Sequence, residues 1–151
     1  MWNVCVGWML IFVAVTCGCS ESGRPTFPAG GTVMLSDGTP LPGGWIEFQL
    51  VGEHAAPTAK ARIQADGRFE LTTYFEGDGA LEGTHRVMIM PPIPRQDMRS
   101  NREDPHRVTA ELQAAPQIDK RYQRFETSDL TFAVTSEPAE NRFEIRLEMR
   151  E

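Results

Sequence analysis

Apolar and polar residues alternate along most of this chain, in short runs that turn residues cut off sharply. In Trp45-Ile46-Glu47-Phe48-Gln49-Leu50 an extended backbone puts Ile46, Phe48 and Leu50 on one face and Glu47 and Gln49 on the other, the pattern of a half-buried strand. Phe69 and Leu71 share a face of the run 68–72 in the same way. The turn Ala65-Asp66-Gly67 joins that run to 59–64, so 59–72 reads as a hairpin. Further strands are predicted over 31–35, 84–90, 130–134 and 142–147. Asp37-Gly38, followed by Pro40, Pro42, Gly43 and Gly44, stops the first of them, because glycine accepts positive φ and aspartate bonds to nearby backbone. Pro91-Pro92 stops the run 84–90, since proline has no N–H to give a sheet ladder. The best helical stretch, 99–113, is interrupted by Pro105 and closed by Pro116. Seven short strands between such turns predict an all-β fold, a single seven-stranded antiparallel β-sandwich whose inner faces form the core. Residues 91–117 are then a long loop, well beyond the usual length of about 4–6 residues.

The N-terminus follows a different pattern. Val4 to Thr16 carries no charge, and polarity begins abruptly after Cys19 with Ser20-Glu21-Ser22. Such a run is too short to span a bilayer, which takes about 20 apolar residues, and it matches the core of a signal peptide. Thr16-Cys17-Gly18-Cys19 resembles a bacterial lipobox, in which a small residue precedes a cysteine that is lipid-modified and becomes the mature N-terminus. That resemblance makes Cys19, after Gly18, the lipidation site. Cys17 is the alternative residue, and an ordinary secretory signal or a short uncleaved anchor the alternative segment. The implied organisation is a signal peptide over 1–18, a tether over 19–28 and a folded domain over 29–149. All three cysteines, Cys5, Cys17 and Cys19, fall in the leader. The domain therefore has no disulfide, thiolate nucleophile or cysteine-bound metal.

Three motifs in the domain follow one another in a recognisable order. Gly31-Thr-Val is followed by Asp37-Gly-Thr-Pro-Leu-Pro-Gly43 and a strand. Asp66-Gly-Arg-Phe-Glu-Leu71 comes next, and then Gly83-Thr-His-Arg-Val87, with His85 where tyrosine is commoner. Together they resemble the carboxypeptidase regulatory-like domain, which has a transthyretin-like fold. The closing segments, Tyr122, 127–134 and 141–147, are similar to those of planctomycete-type lipoproteins bearing it. The resemblance covers about residues 29–149 and implies a fold more than an activity.

Composition narrows the function further. The chain has 151 residues, Lys+Arg 15 against Asp+Glu 21 and a net charge of -6, which disfavours a general nucleic-acid binder. His54, His85 and His106 are scattered and read as surface residues, with no metal-binding motif among them. Tyr74, Tyr122 and the three histidines lack the close histidine pair of an intradiol dioxygenase iron site. The C-terminal Leu147-Glu-Met-Arg-Glu151 lacks the Tyr-Arg-Gly-Ser-like tail of hydroxyisourate hydrolases. No nucleophile elbow surrounds Ser36, Ser100, Ser128 or Ser136. Glu76, Asp78 and Glu82 are acidic without the spacing of a calcium loop. Between Pro91 and Arg124 lie seven basic and five acidic residues, a mixed-charge stretch able to touch an anionic surface but more ordinary as a solvated loop. The sequence thus reads as an exported, non-catalytic lipoprotein, a binding, adhesive or structural module lipid-anchored to the membrane of the cell envelope, with no cofactor or metal. Its partners would be that membrane and an envelope polysaccharide or protein. An exported enzyme is the alternative. A carbohydrate-binding module is another, which would need exposed aromatics such as Trp45, Tyr74 or Phe75 lined up on one face.

Overall fold

A computed structural model describes residues 23–92 and 118–150. They form an all-β structure with no α-helix among the described residues. The nine strands are β1 (Thr26–Phe27), β2 (Gly30–Leu35), β3 (Trp45–Leu50), β4 (Ala59–Arg62), β5 (Arg68–Glu70), β6 (Ala80–Leu81), β7 (Gly83–Met90), β8 (Thr131–Val134) and β9 (Arg142–Leu147), with short 3-10 turns at Lys120–Gln123 and Pro138–Glu140. Each of the seven runs chosen by alternation is a strand, because burying every second residue rewards an extended backbone at that position. The two that alternation does not show, β1 and β6, are only two residues long and pair with each other. The stretch 19–28, expected to be a tether, therefore ends as part of a sheet.

A four-stranded sheet has the order β4-β3-β7-β8 and a three-stranded sheet the order β5-β2-β9. The expectation of a wholly antiparallel arrangement is corrected by β2 and β9, which run parallel from Gly30↔Arg142 to Leu35↔Leu147. Parallel neighbours need a long crossover, and here the connection is nearly the whole domain. The expected hairpin forms in part, its turn closed by Gln64 N–H to Arg68 O at 2.8 Å. Its arms exchange Lys60 N–H to Thr72 O at 2.8 Å and Thr72 N–H to Lys60 O at 2.9 Å, but β4 pairs along its length with β3, while β5 pairs with β2. One local turn thus feeds two sheets.

One cluster of buried side chains draws on both of these sheets: Ile46, Phe48, Val87 and Ile89 from one, Val33, Phe69, Ile145 and Leu147 from the other. Phe48 joins them, its ring centroid 6.2 Å from Phe69 and 5.6 Å from Phe143. Full burial of such a ring contributes about 1.5–3 kcal/mol. Asn141 is buried where the chain passes from β8 to β9. Its side chain accepts from Thr135 N–H at 2.9 Å and donates to Thr135 O at 2.9 Å, so a polar residue at the end of the core is satisfied rather than stranded.

Candidate functional site

Because Ile46 is in the core, its neighbour Trp45 must point the other way, and two hollows open on its side of the four-stranded sheet. Trp45 is 51% exposed and stands in register between Arg62 on β4 and Met90 on β7. A hollow of about 570 Å³ extends from Trp45 along Lys60, Arg62 and Gln64 to Glu70, Thr72 and Glu76. A second, of about 470 Å³, lies between Trp45 and Pro42, Met90, Pro91 and Pro92. Trp45 and Arg62 line both, so the two hollows form one groove. Gly44 makes the second possible, since it sits at φ +97 and a Cβ there would overlap the Met90 carbonyl oxygen. The Lys60 ammonium lies 3.4 Å from the Glu47 carboxylate on the next strand. The groove therefore offers one flat aromatic face, amide and hydroxyl groups, and charges of both signs on rigid strands.

Asp78 has a different task from the one its acidic neighbourhood suggests. Its carboxylate accepts from the backbone N–H of Thr73 at 2.7 Å, Tyr74 at 2.9 Å and Phe75 at 3.1 Å, and from the Thr26 hydroxyl at 3.4 Å. Burial alone would raise its pKa, but these donors together hold it below the usual carboxylate value. Asp78 is thus the clasp of the loop 73–78, while Glu76 and Glu82 are exposed. No three His, Cys, Asp or Glu side chains come together to hold a metal among the described residues.

The reading of every histidine as a surface residue is corrected at His85, which is 1% exposed on the inward face of β7. Its position is in phase with Val87 and Ile89, and alternation forces the ring into the core beside Phe48, centroids 6.0 Å apart. Nε2 lies 2.8 Å from the Leu81 carbonyl oxygen, whereas Nδ1 has no hydrogen-bond partner among the described residues. Burial pushes the imidazole below its ordinary pKa, and the backbone of Leu81 and Phe48 only partly offsets that. Tyr122 is buried too, its hydroxyl held by the Arg121 guanidinium at 2.7 Å and by Glu148 N–H at 3.3 Å. Ser128 is buried, its hydroxyl accepting from Leu130 N–H at 3.3 Å. These groups are consumed by the fold.

Cys19, Ser100 and His106 lie outside the described residues, as does the long loop except for Pro91 and Pro92. Of the three aromatics singled out from sequence, Trp45 lines the groove. Tyr74 and Phe75 are exposed, at 40% and 62%, but line neither hollow. Lys60, Arg62, Gln64 and Glu70 escaped sequence reasoning, although outward positions on alternating strands were the available signal. No helix of the described residues is long and apolar enough to cross a membrane. Compared with protein-family models, curated proteins and solved structures, the chain matches none.

Proposed function

We propose that this chain is an exported, lipid-anchored, non-catalytic binding module of the cell envelope, held to the membrane through Cys19 and binding an envelope polysaccharide along the Trp45 groove. The observation that carries the binding reading is the exposed indole at the junction of two hollows. An aromatic face in water is an apolar platform suited to the C–H face of a sugar ring, and the flanking amide, hydroxyl and charged groups suit its hydroxyls. The open groove has balanced charge, with Lys60 and Arg62 against Glu70 and Glu76. That balance favours a hydroxyl-rich polymer over a polyanion.

The fold reading goes with it: the three-stranded and four-stranded sheets stack as one seven-stranded, transthyretin-like sandwich of the carboxypeptidase regulatory-like kind. Its support is the 3+4 division of the strands, their shared core and the three motifs in order. The test combines two measurements on the full chain expressed in a bacterium. Mass spectrometry of the mature N-terminus is expected to find acyl chains on Cys19, lost together with the membrane fraction in Cys19→Ser. Sedimentation with insoluble polysaccharide isolated from the host envelope is expected to weaken at least about tenfold in Trp45→Ala, the scale of roughly 1.4 kcal/mol. Unchanged sedimentation in that variant would remove the groove from the proposal.

A further inference from the structure

The two most exposed aromatics besides Trp45, Tyr74 and Phe75, sit where the chain enters the fold. The Tyr74 ring lies against Gly23, close enough that a Cβ on Gly23 would stand 3.2 Å from its Cε2. Arg24 is ion-paired with Glu53, and the Thr26 hydroxyl reaches the Asp78 carboxylate. The first described residues are thus bound by the two loops 51–56 and 73–78. The first of these also leaves Val51 44% exposed. The second is stiff: Asp78 takes three successive backbone N–H groups, Gly77 N–H donates to the Thr72 hydroxyl at 3.0 Å, and the Thr73 hydroxyl donates to Gly79 O at 2.7 Å. Gly79, at φ +87, passes so near the Phe27 carbonyl that a Cβ would overlap it, which locks this loop onto β1. A short, rigid loop presenting an aromatic pair to water has no use in the core, and its surroundings carry more acidic than basic charge, with Glu53, Glu76 and Glu82 exposed against Arg24.

Covalent geometry supplies the occupant. Cys19 precedes Gly23 by four residues, which reach at most roughly 14 Å. We propose that Tyr74 and Phe75 insert into the interfacial zone of the lipid bilayer and set the orientation of the anchored domain. This rests on the reading that Cys19 carries lipid. Tyrosine and phenylalanine partition to that zone through an apolar ring, with the tyrosine hydroxyl left among the headgroups. A single anchor leaves a domain free to tumble, and a second apolar contact at the same end removes that freedom. Since the loop is flanked by carboxylates, the contact does not depend on anionic lipid.

The experiment uses the full-length protein, purified from membranes and reconstituted in phosphatidylcholine vesicles with or without bromine on the upper acyl chain. Phe75→Trp in a Trp45→Phe background is compared with Trp45→Phe alone, so that the difference spectrum belongs to the indole at position 75 whatever becomes of the leader. Phe75 is mostly exposed, so an indole there fits without repacking. The expected result is a blue-shifted difference spectrum that loses most of its intensity to the brominated lipid, equally at low and high salt. An indole that stays water-like, or that shifts to the blue without quenching by bromine because it packs against protein, overturns the inference. The mass of the N-terminus reports separately on the anchor. Quenching in a chain lacking acylation would sink the Cys19 reading and keep the loop as a membrane contact, whereas an acylated chain without quenching would do the reverse.

Discussion

His85 shows what one position can cost. An imidazole in the core with one unpartnered nitrogen is tolerated as the neutral ring, since a buried imidazolium would meet no counter-charge among the described residues to offset its desolvation. Its pKa in the folded chain is depressed by burial below the ordinary 6.5. Above 6.5 the ring is neutral in both states. As pH falls below 6.5 the unfolded chain takes up the proton first, so stability is lost from there downward through the folded value, with a slope of at most about 1.4 kcal/mol per pH unit. Urea unfolding of the wild type between pH 7.5 and pH 5 is expected to show this decline. His85→Phe, similar in shape and without the proton, is expected to flatten it. A His85→Phe curve as steep as that of the wild type would place the acid sensitivity elsewhere. The inward position of His85 was legible from its spacing to Val87 and Ile89, but hydropathy outvoted it, because histidine counts as polar wherever it occurs.

At the level of elements, strands were legible and their partners were not. Alternation depends on one residue's neighbours along the chain, so β3 and β7 were visible at once. Sheet membership depends on contacts between residues far apart in sequence, and nothing local tells Arg68–Glu70 to join β2 rather than stay with β4. The parallel alignment of β2 with β9 is hidden for the same reason, and two-residue strands such as β1 are too short to have a period. The groove was half legible: Trp45 was a candidate, but the residues completing it come from the divergence of β4 and β5. In the loop 73–78 one side chain takes the largest share of the backbone donors, since Asp78 accepts from three successive N–H groups. Asp78→Ala is expected to cost about 1–3 kcal/mol, the scale of hydrogen bonds to a charged acceptor. Faster hydrogen exchange should appear at the amides of Thr73, Tyr74 and Phe75, with protection unchanged in β3 and β7. If those three amides exchange as slowly as before, the loop is held by something other than Asp78.

For the whole molecule, the proposed anchor raises the question of which end would face a membrane. β3 runs from Trp45 to Leu50, and the loop that follows carries Glu53, the partner of Arg24. The Leu50 end therefore lies where the chain enters the fold, and Trp45 lies five residues away along a straight strand, roughly 17 Å. The groove extends along β4 from the Glu76 side toward Trp45, so it leads outward from the proposed lipid contact. The loop of the proposed lipid contact also supplies Thr73, Glu76 and Gly77 to one end of the groove, and it is the Trp45 end that this arrangement leaves in water while Phe75 is in lipid. Trp45 is the only tryptophan beyond residue 18, which would make it the sole reporter in a chain cleaved at the proposed leader. Aqueous acrylamide is expected to quench its emission as strongly in phosphatidylcholine vesicles as in Cys19→Ser protein free in buffer. Soluble envelope polysaccharide is expected to protect it in both. Strong protection by vesicles alone would mean that the domain lies on its side with the groove against the bilayer, and the groove could then not serve a polymer outside the membrane.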